Sequence, residues 1–190
     1  MIFIHDSRDQ VGKHKVLEEW MKREGHTLVR SKMYVGDIAL LHDQSVCIDL
    51  KGLGMQEVYN NIVQSHERFR NECIRAHDAD IKLIILVEEK GIQSLSDVRE
   101  WKNPRVYRYQ QQKEYNDWLV SHGKEPKWKL PKTPPVPSYR LSGMMDAMQL
   151  KYGVQFSFCD PKDVGQTVYQ ILTQKRSRSE ERRVGKECRS

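Results

Sequence analysis

Apolar and polar positions alternate along the chain with two different periods. A period of two residues predicts strands, and a period of about 3.6 residues predicts helices. Runs with strand character cover 2–5, 27–30, 38–41, 46–50, 82–87 and 154–159. Apolar residues at helical spacing cover 11–24, 56–77, 95–101, 141–152 and 161–172. Strands and helices mixed in this order favour an α/β fold, in which helices flank a mixed central sheet.

One segment, 101–137, departs from this pattern, and we expect an irregular, proline-rich insertion over 103–137 within a single domain of residues 1–177. Its aromatic residues are interleaved with cations. Those that we predict to bind DNA are Arg105, Arg108, Lys113, Lys127 and Lys129. Cations contact phosphates, and aromatic faces stack on unpaired bases. The alternative is a surface insertion packed by its own aromatics, with solvated lysines.

Composition restricts the partners and the compartment. The formal net charge of +6 is compatible with a nucleic-acid partner. The chain has no apolar run long enough to predict a membrane span, and an acidic residue follows the first strand too early for a signal peptide. A cytoplasmic protein is therefore expected. Cys47, Cys73 and Cys159 lie in apolar runs without metal-ligand spacing, which predicts reduced core thiols.

The last residues, RSEERRVGKECRS at 178–190, are similar to the translation of a sequencing-library adapter. We set them apart as a non-native or disordered tail, because such segments do not bear on the fold. The alternative is a basic extension of the natural chain.

Two short motifs indicate metal-dependent chemistry. Gly36-Asp37 and Asp49-Leu50-Lys51 lie on either side of an apolar hairpin. Because side chains alternate along a strand, Asp49 and Lys51 share a face, while Asp37 enters the neighbouring strand. Two carboxylates on adjacent strands can share Mg²⁺ or Mn²⁺, and a nearby lysine completes the equipment for hydrolysing a phosphodiester with a metal-bound water.

Asp-x-Lys also occurs at 80–82 and 160–162, but the first copy precedes a buried strand and the second carries an Asp-Pro helix-start signal. Only the copy at 49–51 lies late in an apolar strand with a second acid beside it. The alternative for this copy is a surface ion pair at a strand end.

Two further groups lie where they could join the same site. Asp6 and Arg8 follow the first strand, at the end of the sheet where sites assemble in α/β proteins. The alternative is an ordinary N-cap of the first helix, for which Asp6 or Asp9 would serve. Arg68 and Glu72 are four residues apart on a predicted helix and therefore share a face, with a solvated ion pair as the alternative.

Together these motifs resemble the XPF-type structure-specific endonuclease domain of the restriction-endonuclease-like, PD-(D/E)XK, superfamily. The resemblance covers about 2–89 and, more weakly, 138–173. It implies a restriction-endonuclease-like fold, and roles for individual residues. Asp37 and Asp49 match the metal-binding acids, Lys51 matches the catalytic lysine, and Asp6 and Arg8 match the acid and arginine of the first motif.

The resemblance also assigns supporting positions on the long helix. Arg68 matches the helix arginine, which would contact DNA or hold the carboxylates. Glu72 stands where a glutamine is common, and Glu57 matches an acid that follows the lysine. The chain departs from the family at three points. Asp49 replaces a glutamate, Leu50 replaces an arginine, and Glu57 lies two residues further from the lysine. The last two changes bear on substrate selectivity more than on catalysis.

The resulting prediction is a Mg²⁺- or Mn²⁺-dependent DNA endonuclease that cuts flap, fork or junction DNA, with branched or partly single-stranded DNA as its partner. The resemblance implies a role in DNA repair or recombination and a homodimer, and a free-standing enzyme of this type is expected in a phage or bacterium. The alternatives are a non-catalytic DNA-binding or dimerisation subunit, and a Holliday-junction resolvase or restriction-type nuclease on the same fold.

Overall fold

The computed structural model describes residues 1–174, so the expectation for the tail at 178–190 falls outside the described residues. Six strands form one sheet: β1 (Ile2–Asp6), β2 (Thr27–Ser31), β3 (Ile38–Leu40), β4 (Asp43–Lys51), β5 (Lys82–Glu88) and β6 (Gln155–Cys159). The helices are α1 (Lys15–Arg23), α2 (Met55–Tyr59), α3 (His66–Asp78), α4 (Leu95–Arg99), α5 (Pro104–Ser121), α6 (Ser138–Tyr152) and α7, described over 164–174. The expected α/β class is confirmed. None of the described helices is both long and apolar enough to cross a bilayer.

The strand order in the sheet is β2-β1-β3-β4-β5-β6. β3 is antiparallel to both of its neighbours, and the other neighbouring strands are parallel. His5 lies beside Ile38, and Ile38 lies beside Ile48. The end of β1, the start of β3 and the end of β4 therefore meet at one edge of the sheet, the kind of edge at which open α/β sheets bind ligands.

Alternation along β4 distributes its side chains between two cores on opposite faces of the sheet. Ile48 and Leu50 belong to the core that α1 and α7 cover. Cys47 belongs to the larger core beneath α2, α3, α4 and α6. Asp49 and Lys51 lie at even spacing from Cys47, so the fold directs both polar side chains toward α2 and α3.

The three described cysteines lie in these cores. Cys47, Cys73 and Cys159 are free and buried. Burial raises the pKa of the Cys47 thiol to about 11 and those of Cys73 and Cys159 to about 12. The thiols therefore stay protonated at neutral pH, and the prediction of reduced core cysteines is confirmed.

The helix predicted over 56–77 is interrupted. α2 ends at Tyr59, a π-helical turn covers Asn60–Gln64, and α3 begins at His66. The Ser65 N–H donates to the Asn60 carbonyl, five residues earlier, over 2.8 Å. The prediction of one continuous helix was wrong, because apolar residues spaced by four and seven fit both arrangements. π-helical turns often mark functional sites.

The insertion begins with a helix of 18 residues, α5, where irregular structure was predicted. Asn103 caps this helix by accepting the Arg105 N–H (3.0 Å), and Pro104 occupies its first turn. Only Asn116 and Leu119 of α5 are buried, so the sequence carries no apolar periodicity that would reveal the helix. Residues 122–137 are irregular, as predicted.

Candidate active site

The Gly36-Asp37 turn brings a carboxylate to the end of β4. Gly36 has φ of 69°, and an added Cβ would lie 3.0 Å from the Ile48 carbonyl oxygen, so this position requires glycine. Its N–H donates to Glu72 Oε1 (3.1 Å). The Asp37 N–H donates to the Ile48 carbonyl (2.7 Å), and Asp37 Oδ2 accepts the Leu50 N–H (2.7 Å). These bonds fix the Asp37 carboxylate beside β4.

Asp49 and Lys51 form a buried ion pair at the same place. The Lys51 Nζ atom lies 2.8 Å from Asp49 Oδ1 and 2.6 Å from Oδ2, and the two side chains are only 7% and 6% exposed. Nζ also lies 5.4 Å from the centroid of the Phe69 ring on α3. The alternative of a solvated surface pair therefore does not describe this pair.

Burial and crowding of charge perturb the pKa of each ionisable group here. Burial, together with the charges of Asp49 and Asp9, raises the pKa of Asp37 well above its ordinary value. Burial lowers the pKa of Lys51, but the charge and hydrogen bond of Asp49 outweigh burial, so the pKa of Lys51 is raised and its ammonium stays charged. Burial and the charge of Asp49 also raise the pKa of Glu72.

The structure gathers every residue predicted for the catalytic site and its helix support into one cleft of about 330 Å³. They are Asp6, Arg8, Asp37, Asp49, Lys51, Glu57, Arg68 and Glu72. Glu57 joins them from the first turn of α2, where its Oε2 accepts the Leu53 N–H (3.2 Å). Glu72 is bonded to the Gly36 turn, so the alternative of a solvated Arg68–Glu72 pair does not describe it.

Asp6 holds Arg8 at the mouth of the cleft. Arg8 Nε donates to Asp6 Oδ2 (2.8 Å), and Arg8 Nη2 donates to the Met33 carbonyl (3.0 Å). Burial acts to raise the pKa of Asp6, but the hydrogen bonds from Arg8 outweigh it and lower that pKa. The alternative role as a helix N-cap fails, because α1 starts at Lys15 with no side-chain cap. The Arg8 side chain remains 54% exposed.

Leu50 does not face the cleft, although the resemblance tied this position to substrate selectivity. The missing arginine at this position implied a missing contact in the site. Leu50 is instead fully buried in the core beneath α1 and α7, on the face of the sheet opposite Asp49 and Lys51. The replacement therefore changes the core and leaves the cleft as it is.

Sequence reasoning missed several residues of the cleft. Arg75 lines it, seven residues after Arg68 and three after Glu72, a spacing that places all three on one face of a helix and that could have found it. Asp9 and Lys13 also line the cleft, with Lys13 Nζ donating to Asp9 Oδ1 (3.0 Å). Both residues precede α1, which begins only at Lys15 although helical spacing predicted a helix over 11–24. That prediction placed Lys13 on a helix and gave no indication that it reaches the cleft.

The donor set fits a divalent cation. Asp37 and Asp49 supply carboxylate oxygens, which Mg²⁺ and Mn²⁺ prefer, and the Leu50 N–H occupies only one oxygen of Asp37. Burial first, and then repulsion from Asp49 and Asp9, raise the pKa of Asp37, and a bound cation would relieve that repulsion. Asp37 and Asp49 are therefore the residues that would hold it.

The cations of the insertion that were predicted to bind DNA differ in their exposure to solvent. None of them lines the cleft. Arg108, Lys113, Lys127 and Lys129 are exposed. Arg105 is half-buried: its Nη2 donates to Asn60 Oδ1 (2.7 Å), and its guanidinium carbon lies 5.1 Å from the centroid of the Tyr59 ring. Arg105 thus ties α5 to the domain.

The aromatic residues of the insertion pack on one another and on lysines. The Tyr115 and Trp118 rings are stacked with centroids 5.9 Å apart, yet these side chains remain 44% and 48% exposed. Lys127 Nζ lies 5.9 Å from the Tyr115 centroid and 5.2 Å from that of Trp128. We call the exposed members the insertion surface: Tyr107, Arg108, Lys113, Tyr115, Trp118, Lys127, Trp128 and Lys129.

No protein-family model and no curated sequence matches the chain. Among solved structures, XPF from Aeropyrum pernix matches with a TM-score of 0.58 and 14% identity, over 96% of this chain and 69% of that one. XPF from Aeropyrum pernix in complex with DNA matches with a TM-score of 0.55 and 15% identity, over 93% and 65% of the two chains. The chain thus spans about two thirds of the length of these structures. Its fold is therefore XPF-like, which confirms the predicted resemblance and the restriction-endonuclease-like fold class.

Proposed function

We propose that this protein is a divalent-metal-dependent DNA endonuclease that acts on branched or partly single-stranded DNA. One observation carries the proposal: Asp37, Asp49 and Lys51 converge in a cleft at the sheet edge, with Arg8 and Arg68 at the same cleft. Two carboxylates, a charged lysine and two arginines form a site suited to the hydrolysis of a phosphate ester.

Each group has a role that follows from its charge and burial. A divalent cation held by Asp37 and Asp49 would supply a water of lowered pKa and polarise the phosphate. The Lys51 ammonium stabilises the negative charge that develops on the phosphate oxygens, because it is charged and fixed by Asp49. Asp6 positions Arg8, which neutralises a neighbouring phosphate at the mouth of the cleft.

Arg68 and Arg75 extend the positive charge along α3, so a nucleic-acid backbone can follow the cleft. The exposed rings of the insertion surface supply stacking platforms for unpaired bases. A site for cutting together with a surface for unpaired bases supports selectivity for DNA in which duplex and single strand meet. The structure of XPF with DNA agrees with a nucleic-acid partner for this fold.

The test is a cleavage assay on labelled flap, fork, four-way junction, single-stranded and plain duplex DNA, with Mg²⁺ or Mn²⁺. We expect metal-dependent cutting of the branched substrates. Asp49→Asn should abolish it while leaving DNA affinity intact, because the amide binds the cation poorly. Since this variant also removes the buried partner of Lys51, it is assayed at a temperature where circular dichroism shows a folded protein. Asp80→Asn is the matched control: it alters another Asp-x-Lys motif, at an exposed residue with φ of 53° that asparagine tolerates.

Three outcomes would contradict the proposal. Tight DNA binding without cleavage under either metal would favour a non-catalytic DNA-binding subunit, for which the insertion surface alone would suffice. Sequence-specific cutting of linear duplex, with no preference for branches, would favour a restriction-type nuclease. Equal cleavage by Asp49→Asn and the native chain would show that Asp49 is not part of the catalytic site.

A further inference from the structure

A second group of ligand-type side chains lies next to the cleft, at the end of β1 and on the loop between β1 and α1. One donor atom each from His5, Asp9 and His14 lies within 4.8 Å of the other two. His5 Nε2 is 3.5 Å and His14 Nε2 is 3.3 Å from Asp9 Oδ2. The side chains of His5 and His14 are 0% and 1% exposed.

These donor atoms are buried, and their polar contacts are the long ones that they make with one another. His5 Nε2, His14 Nε2 and Asp9 Oδ2 each have no hydrogen-bond partner. Buried polar atoms are nearly always satisfied, because leaving one unpaired costs roughly 1–3 kcal/mol. Three such atoms aimed at one point therefore indicate a ligand between them.

We propose that His5, Asp9 and His14 bind a transition-metal ion of the zinc class. Two imidazole nitrogens and one carboxylate oxygen form a donor set that Zn²⁺ takes in proteins, with a fourth position left for water. Ligands about 2.0–2.1 Å from a tetrahedral Zn²⁺ lie about 3.3–3.4 Å apart. The two nitrogen-to-oxygen distances, 3.3 and 3.5 Å, agree with this spacing.

The surroundings of His14 support the same assignment. Its Nδ1 lies 3.9 Å from Glu88 Oε1 at the end of β5, which is near but beyond hydrogen-bond distance, while its Nε2 faces the proposed metal. Histidines that bind metals commonly have such a carboxylate partner, which fixes the tautomer and the ring orientation. The second oxygen of Asp9 is bonded to Lys13, which leaves Oδ2 for the metal.

This site adjoins the cleft through Asp9 but uses neither Asp37 nor Asp49 as a ligand, and its metal has a different effect. His5 lies in β1, whereas Asp9 and His14 belong to the loop that also carries Arg8 and Lys13. A metal there would tie the loop to the sheet and so hold the residues that the loop contributes to the cleft. The proposal stands whether or not the cleft cuts DNA.

The test is a titration of the full chain with Zn²⁺ against a chromophoric chelator, in millimolar Mg²⁺ to saturate the cleft. We expect one tight Zn²⁺ equivalent and a higher melting temperature when it is bound. Asp9→Asn and a His5→Gln/His14→Gln double variant should weaken binding by more than about a hundredfold. Glu88→Gln should weaken it by about 10–100-fold, the usual effect of losing a carboxylate that supports a metal-binding histidine.

Two control variants separate this site from others. Asp49→Asn removes a ligand of the cleft, and His122→Gln removes an exposed histidine of the insertion; both should bind Zn²⁺ as the native chain does. Co²⁺ should give visible absorption bands of a tetrahedral complex in the native chain, and the double variant should lose them. The proposal fails if the native chain takes no Zn²⁺ from the chelator. It also fails if the double variant, folded by circular dichroism, binds Zn²⁺ as tightly as the native chain.

Discussion

The cleft and the insertion surface are both rich in charge, but side chains are buried and fixed in the cleft and exposed on the insertion surface. In the cleft, Asp49 and Lys51 are buried, paired and attached to a strand in the middle of the sheet. On the insertion surface, Tyr115 and Trp118 are about half exposed, and α5 makes few contacts with the other described elements. Chemistry requires groups fixed to a fraction of an ångström, whereas stacking on bases requires open faces. Under the proposed function, the cleft would carry the reaction and the insertion surface would recognise the DNA.

The largest effect that would separate the two regions is expected from Lys51→Gln. Removing the fixed ammonium should lower kcat by roughly 10²–10³, the usual loss for one group that stabilises transition-state charge, with DNA affinity unchanged. The measurement is single-turnover cleavage at saturating enzyme, at a temperature where circular dichroism shows a folded protein. Lys82→Gln is the control, since it alters the exposed lysine of another Asp-x-Lys motif. A fall in affinity with an unchanged rate would contradict this division of roles.

The next effect should come from the rings of the insertion surface. Tyr115→Ala and Trp118→Ala should each weaken binding to single-stranded or flap DNA by about 1–3 kcal/mol, the usual contribution of stacking on one base. The cleavage rate at saturating enzyme should not change. Fluorescence anisotropy with flap and plain duplex DNA measures the effect, with Leu150→Ala as a control for an exposed apolar residue on α6. Equal losses for flap and duplex would argue against stacking on unpaired bases.

The charge of Asp37 should make metal-free stability depend on pH. Its pKa is raised in the folded protein, so between the unfolded value, about 3.9, and the raised value, the folded state binds more protons. The free energy of unfolding therefore falls as pH rises through that window. Asp37→Asn should lack this fall and be more stable than the native chain near pH 8.

Melting temperatures of both proteins between about pH 5 and pH 8 provide the measurement. Added Mg²⁺ should stabilise the native chain most at the alkaline end, where protons no longer compete for Asp37. Parallel curves for the two proteins would show that Asp37 has an ordinary pKa.

The smallest effects should distinguish two arginines of the same helix. Arg108→Gln should lower the slope of log affinity against log salt by about 0.7–0.9, the value for one phosphate contact, without a change in stability. Arg105→Gln should leave that slope unchanged. It should instead cost about 1 kcal/mol of unfolding free energy, because Arg105 bonds to Asn60 and stacks on Tyr59. Equal salt slopes for both variants would indicate that Arg105, like Arg108, contacts a DNA phosphate.

The two regions also differ in how far the sequence predicts them. Strand alternation was enough to bring Asp49 and Lys51 to one face, and the short link between β3 and β4 set Asp37 beside them. Helical spacing likewise placed Glu72 near the site. In α5 the same method failed, because a helix with only Asn116 and Leu119 buried has no apolar stripe to read. The convergence of His5, Asp9 and His14 was hidden for another reason, since a strand and an irregular turn bring them together without a regular sequence spacing.

The insertion leaves the domain and returns to it at nearly one point. Asn103 Nδ2 donates to the Val136 carbonyl over 3.0 Å, which closes the ends of the segment on each other. A loop with joined ends can lengthen, shorten or be exchanged at little entropic cost, since the closure cost grows only with the logarithm of length. A different segment can thus replace this one at that junction, without any change in the strands that carry Asp49 and Lys51.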